Sequence, residues 1–246
     1  MAPVMKKDAT ALNLIGLDDL VESPAPLQLR IGRPRYSRWE RFAKRAIDVT
    51  GALTVLTLGA PLLAVIAIAV KLSSRGPVFF RQVRLGRDGK PFHFYQFRSM
   101  HHKNDDTVHR RFAANFINGG EVDEEGDEKV FKMVRDPRVT PIGQFLRRSS
   151  LDELPQFWNV LRGEMSLVGP RPPIAYELEH YQEWHKDRLK VTPGLTGLWQ
   201  VSGRSTVGFD EMVMLDLHYI SRWSLKLDLK IIARTLPVMI KGEGAY

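Results

Sequence analysis

Two adjacent carboxylates, Asp152 and Glu153, stand in the run RRSSLDELPQFWN, with a pair of arginines before them and a proline after. Alone, they suit a helix start, because Asp is a favoured N-cap and acidic side chains oppose the positive end of a helix dipole. With Asp152 as N-cap, Pro155 falls at the third helical position, where its missing N–H costs nothing. The helix then runs through QFWNVLR to a stop at Gly163. A capping box from Ser150 to Glu153 ranks second, since it puts Pro155 in the interior. Capping explains Asp152 but not its company. Arg147 and Arg148 precede the pair, and downstream MSLVGPRP holds Arg171 between Pro170 and Pro172 in a stiff loop. An arginine fork clamps phosphate oxygens bidentately. Carboxylates at a helix start among arginines stay ionised at neutral pH. An ionised Asp can attack phosphorus or bind a divalent cation.

These groups need a positioning frame, and composition limits it. A chain of 246 residues with 43% hydrophobic and 26% charged residues can bury a real core. The formal charge of +8 calls for an anionic partner: nucleic acid, lipid headgroups or a phosphorylated substrate. Cys is absent, which removes disulfides, thiolate nucleophiles and Cys-based zinc sites. The acidic cluster EVDEEGDE, Glu121 to Glu128, reads as a solvated loop and argues against a nucleic-acid surface wrapping the domain. His101, His102 and His109 lie near Asp105 and Asp106 without a repeated ligand spacing, so no metal site is expected there. Residues 1–37 read as a flexible tail without a signal-peptide pattern.

From Val49 to Val70 no residue is charged, and as a helix this run would extend about 33 Å, enough to cross a bilayer. Pro61, after Gly59 and Ala60, should kink it by removing a ladder hydrogen bond and clashing with the Thr57 carbonyl. Thr54 and Thr57 are candidates to satisfy the freed backbone groups. Basic residues flank both ends, Arg41, Lys44 and Arg45 before and Lys71, Arg75, Arg81 and Arg84 after, so both ends favour the cytoplasmic side. A re-entrant helix bent at Gly59, Ala60 and Pro61 is therefore preferred over a straight span. Residues 71–111 carry ten Lys/Arg against three Asp/Glu, including RQVRLGRDGK, a segment able to grip headgroups. Near the end, Leu225, Leu229, Ile232 and Leu236 share one helical face with Lys226, Lys230 and Arg234 opposite, a core or interfacial helix.

In order along the chain stand KRAIDV, the GAP-kinked apolar run, SSRGPVFFRQVRLGRDGKPFHFYQFRSM, RRSSLDELPQFWNVLRGEMSLVGPRP, TPGLTGLWQVSGR and LDLKIIARTLPV. Together these six pieces resemble the bacterial sugar transferases, the monotopic phosphoglycosyl transferases, from Arg38 to Tyr246. The resemblance implies transfer of a sugar-1-phosphate from a nucleotide diphosphate sugar to a polyprenyl phosphate, with release of the nucleoside monophosphate and a requirement for Mg2+. It implies Asp152 as the nucleophile that forms a phosphosugar enzyme and Glu153, with Asp152 beside it, as the magnesium ligand. It also implies phosphate or substrate contacts for Arg98, Arg147, Pro170, Arg171, Pro172 and Arg204. One departure is Gln96, where the family often has Lys before FRSM, so a phosphate role at that position is in doubt.

The expected fold is α+β and mostly helical, with small strands around Val78 to Phe97 and helices carrying the dyad. No GxGxxG follows a strand, which excludes a Rossmann glycosyltransferase. The expected organisation is a tail at 1–37, a membrane-inserted helix-break-helix at 38–76 and a catalytic domain at 77–246. It would sit on the cytoplasmic face of a bacterial inner membrane, among its lipids. UDP-sugar and undecaprenyl phosphate are the expected substrates, with a weak lean to galactose or glucose in exopolysaccharide assembly. Nucleic acid is not an expected partner, and a homodimer is an open option. A non-catalytic membrane scaffold is the rival; it explains the charge and the apolar run but assigns nothing to LDELP or GPRP. A glycosidase needs carboxylates on opposite sides of the scissile bond, and adjacent residues are poorly placed for that.

Overall fold

The computed structural model describes residues 36–101, 107–119, 138–202 and 208–241. The tail before Tyr36, the acidic cluster, His102, Asp105, Asp106 and Arg204 lie outside these residues.

The apolar run folds as two helices, α1 (Arg38–Leu58) and α2 (Ala60–Ser73), bent by 63°. Ser37 and Glu40 close a capping box at the start of α1. The break falls where expected. Gly59 ends α1, and Pro61 occupies the first turn of α2, where a missing N–H is tolerated. The expected help from the threonines is not found. Thr54 and Thr57 donate one turn upstream, to the Thr50 and Leu53 carbonyls at 2.9 and 2.7 Å, because a helical hydroxyl reaches back along its own helix. The Gly59 N–H reaches the Thr57 carbonyl that Pro61 leaves, as well as that of Val55. Neither helix alone is long and apolar enough to cross a membrane; the bent pair together is.

The expected strands form a hairpin, with β1 (Phe79–Leu85) antiparallel to β2 (Pro91–Phe97), turning through Arg87–Gly89. A second pair, β3 (Ser166–Val168) parallel to β4 (Gly194–Thr196), has strands of three residues each, too short to show a period. The remaining helices are α3 (Thr107–Ile117), α4 (Pro141–Arg148), α5 (Gln156–Arg162), α6 (Leu198–Ser202), α7 (Phe209–Ser221) and α8 (Leu225–Lys241). The architecture is α+β and mostly helical. Among the described residues the sheets are two separate pairs.

The basic motif KRAIDV proves to be a dock for α1. Lys44 bonds Asp228 of α8 at 2.7 Å and the Val168 carbonyl of β3 at 3.1 Å. Arg45 donates to the Val160 and Leu161 carbonyls at 2.6 Å each, a cation on the negative end of α5. Buried Asp48 accepts from the Ser166 hydroxyl at 2.9 Å and the Leu167 N–H at 2.8 Å. Three successive polar positions on one helix thus fix α8, α5 and β3.

Helix α8 turns a different stripe inward than the leucine spacing suggests. Asp228 and Ile231 are buried, whereas Leu229 is 54% exposed. The Lys44–Asp228 pair selects the face, because an ion pair with its hydrogen bonds must be seated before leucines choose sides.

Farther along, Arg188 and Asp216 form a buried pair at 2.5 Å, and Arg188 also donates to the Tyr181 hydroxyl at 3.1 Å. Arg188→Met strands the Asp216 carboxylate, and urea unfolding should show a loss of about 3–5 kcal/mol. Adding Asp216→Leu to that variant should restore most of the loss, since an apolar pair of similar volume carries no uncompensated charge.

Candidate active site

The dyad does not sit where capping alone would put it. Ser150 adopts a left-handed conformation (φ 55°), Leu151–Glu153 form a 3-10 turn, and α5 begins only at Gln156 with Pro155 as its N-cap. Asp152 is therefore not the N-cap of α5. The Ser150–Glu153 capping box is absent too, since Glu153 N–H bonds the Ser150 backbone carbonyl at 3.2 Å. The reason lies in the flanking leucines. In a 3-10 turn, side chains three apart eclipse, so Leu151 and Leu154 both reach the cluster of Ile66, Val70, Phe97 and Leu146. The intervening Asp152 and Glu153 are left to other directions. Asp152 is buried at 8% exposure and Glu153 is half-buried. The expected stop holds: Gly163 ends α5 at φ 77°, a conformation costly for any residue with a Cβ.

Both arms of the bent helix hold this element. Leu151 and Leu154 pack against the cluster that Ile66 and Val70 of α2 form with Phe97 and Leu146. Val160, Phe157 and Leu161 of α5 pack with Ala52 of α1, Phe92 and Phe94 of β2, and Met165. Fully buried Asn159 ties α5 to the hairpin, accepting from Tyr95 N–H at 3.3 Å and donating to the His93 carbonyl at 2.6 Å. The bend is thus what lets one turn-plus-helix touch both arms.

Arg147 comes from α4, where its Nε donates to Ser99 Oγ at 2.8 Å. Thr140 caps the same helix through Gly143 N–H at 3.0 Å, and its own N–H bonds the Ser99 carbonyl at 3.0 Å. FRSM is therefore a junction between the hairpin and α4. Within it, buried Arg98 donates through Nη2 to the Val70 and Ser74 carbonyls at 3.0 and 2.7 Å, closing the end of α2. Its Nε and Nη1 have no hydrogen-bond partner among the described residues. Gln96 pairs with Phe80 within the hairpin.

The Pro170–Arg171–Pro172 loop is held by backbone. Gly169 N–H bonds Thr196 O at 2.9 Å, and Gly194 N–H bonds Pro170 O at 2.8 Å. The strands approach so closely that a Cβ on Gly194 would lie 2.0 Å from the Gly169 nitrogen. From the other side, Leu85 N–H bonds Pro173 O at 2.9 Å and Arg84 Nη1 donates to Pro172 O at 2.9 Å.

Arg84 is the residue that sequence reading missed. It was one of several arginines in a segment read as a headgroup grip, but alternation along β1 turns it inward while Arg81 stays exposed. Its guanidinium lies over the Phe94 ring at 4.3 Å and bonds Gln82 Oε1 at 3.1 Å. Burial first, and then the neighbouring Arg171, push its pKa down to about 9 against the opposing pull of Glu177, Glu153 and Tyr176. Arg171 of the loop and Glu153 of the dyad both lie within electrostatic reach of this one buried cation. Two crowded guanidiniums are relieved by an anion placed beside them. Binding of a diphosphate should therefore raise the Arg84 pKa, with any proton uptake centred near pH 9. Affinity should hold below that pH and fall above it. Calorimetry in two buffers of different ionisation enthalpy should show the uptake in the wild type and none in Arg84→Met.

Among the described residues no three His, Asp or Glu cluster as a metal cage. Two adjacent carboxylates still fit magnesium, which takes one or two protein carboxylates and completes its shell with substrate phosphates and water.

The family described as Bacterial sugar transferase matches residues 39–242. The chain is 45% identical to the galactosyl transferase CpsE of Streptococcus agalactiae, over 85% of this chain and 45% of that protein. It is 43% identical to the exopolysaccharide production protein ExoY of Rhizobium meliloti, over 83% of this chain and 88% of that protein. It is 42% identical to the UDP-glucose:undecaprenyl-phosphate glucose-1-phosphate transferase of Escherichia coli, over 84% of this chain and 42% of that protein. The chain thus spans less than half of several longer relatives and most of the length of ExoY. On its family match and on the motifs that build this site, the chain belongs to the bacterial sugar transferases.

Proposed function

We propose that the protein transfers a hexose-1-phosphate from a UDP-sugar to undecaprenyl phosphate and so starts a polysaccharide repeat. The observation that carries this reading is the family match over residues 39–242, supported by buried Arg84, which holds the Pro-Arg-Pro loop through the Pro172 carbonyl at 2.9 Å. In the first step an Asp152 carboxylate oxygen attacks the sugar-bearing phosphorus. The bond to the bridging oxygen breaks, and UMP leaves with the electron pair. In the second step a phosphate oxygen of the lipid attacks the same phosphorus and returns Asp152 as carboxylate. Splitting one displacement into two spares two bulky anions from meeting directly. Arg84, Arg147 and Arg171 hold and neutralise the phosphates. Magnesium, held by Glu153 with Asp152 beside it, would supply further charge neutralisation on the donor.

The acceptor is a lipid, and the bent pair suits it. Leu53, Leu58, Leu62, Val65, Ile68 and Leu72 are all exposed on the two arms, more apolar surface than water tolerates. With basic residues at both ends, the pair dips into the cytoplasmic leaflet of the inner membrane and returns, so the dyad it clasps lies at headgroup level. Pro61→Leu should straighten the break. Terminal tags, both cytoplasmic in the wild type, should then appear on opposite sides, and activity should fall as α2 leaves Leu151 and Leu154.

The non-catalytic scaffold reading finds support in the charge and the apolar arms only. It has no use for a buried Asp152 in the dyad or for an arginine held between two prolines. Incubation of purified protein with a panel of nucleotide sugars and undecaprenyl phosphate tests the proposal: UMP should appear with a UDP-hexose, and release with none of the donors would refute it.

A further inference from the structure

Outside the dyad, the chain builds a second basic cavity of about 360 Å³ at the foot of α1. Arg41, Lys44, Arg45, Arg87 and Lys190 line it against a single carboxylate, Asp48. None of the dyad or Pro-Arg-Pro residues takes part. Gly163 contributes to the wall, so the cavity lies at the C-terminal end of α5, whose N-terminal approach carries the dyad.

The charges there are not evenly spent. Lys44 is paired with Asp228 at 2.7 Å and Lys190 with Asp187 at 2.8 Å, while Arg45 covers the end of α5. Among the described residues the ion pairing of Arg87 is the loose Asp88 contact at 3.7 Å, and Arg41 has no ion pair. Asp48 is occupied by Ser166 and the Leu167 N–H. Two of the lining arginines, Arg41 and Arg87, are thus left without a close ion pair among the described residues, and an arginine fork selects phosphate oxygens. Beside Arg41 on α1, Trp39 and Phe42 are 71% and 64% exposed and stacked at 5.7 Å. Exposed aromatics next to cations, two to three turns before an apolar run, mark a headgroup level.

We infer that this cavity binds a phosphate-bearing anion, with the headgroup of an anionic phospholipid as its natural source, separately from the site that carries out transfer. The inference rests on the reading that the bent arms enter the membrane. Because Lys44 and Arg45 form both the cavity wall and the dock of α1, an occupant also fastens the membrane arm to the dyad helix.

The test uses the full chain purified in a neutral detergent, with native mass spectrometry and thermal unfolding as readouts. Phosphatidylglycerol, phosphatidylcholine and inorganic phosphate are titrated separately into the wild type and into Arg41→Gln/Arg87→Gln. Phosphatidylglycerol should be retained in preference to phosphatidylcholine and should raise the unfolding temperature. The double variant should weaken its binding roughly thirtyfold, the effect of two lost headgroup cations. Displacement of the lipid by inorganic phosphate would support the site and identify free phosphate as a second source. Equal retention of both lipids, or equal binding by the double variant, would overturn the inference. The double variant should still form labelled intermediate from donor in detergent, so loss of the anion site and failure of the transferase reading give different results.

Discussion

Asp152→Asn should lower sugar-phosphate transfer by about a thousandfold or more, the scale seen when a covalent nucleophile is removed. The amide is close to isosteric, so Leu151 and Leu154 keep their seat on α2 and the turn should stay folded. What is lost is the anionic oxygen that forms the bond to phosphorus. Circular dichroism and the unfolding temperature should match the wild type while UMP release disappears. Turnover within a few-fold of wild type would remove Asp152 from the chemistry and leave it a turn residue.

Arg171→Lys should cost about a hundredfold, the order expected when one preorganised donor to a developing charge is lost. Lys keeps the charge, but a single ammonium cannot reproduce a planar fork. The loop itself should survive, because Gly169, Gly194, Leu85 and Arg84 hold it through its backbone groups. The half-reactions separate two roles. If Arg171 grips the donor, the variant fails to form labelled enzyme even without lipid acceptor. If it guides the acceptor, labelled enzyme accumulates and only its discharge slows. A variant normal in both half-reactions would return the loop to a structural turn.

Much of this site was legible in the sequence, though not its local shape. Small strands around Val78 to Phe97 were legible though their pairing as a hairpin was not, the bend followed from Pro61 after Gly59, and the end of α5 from Gly163. The dyad was found by residue type, yet its turn was misread as a cap. Local propensity favoured Asp as N-cap, while the packing of Leu151 and Leu154 on a helix more than 80 residues earlier favoured the tighter turn. KRAIDV was recognisable as a motif, but its work was not, since the partner of Lys44 lies 184 residues away. Arg84 escaped because period-two alternation identifies two faces of a strand without saying which faces inward. Only the bridge to Ile174 and the Pro172 carbonyl settles that.

The most direct measurement is the covalent state of Asp152. Protein incubated with a UDP-sugar labelled in the sugar phosphate, without lipid acceptor, is denatured, digested and its peptides are sequenced by mass. A two-step mechanism predicts a phosphosugar on the peptide containing Asp152, close to one per chain, formed with UMP release and discharged when undecaprenyl phosphate is added before denaturation. Release of UMP only in the presence of acceptor, with no labelled Asp152 peptide under any condition, would contradict it and indicate direct displacement by the lipid phosphate.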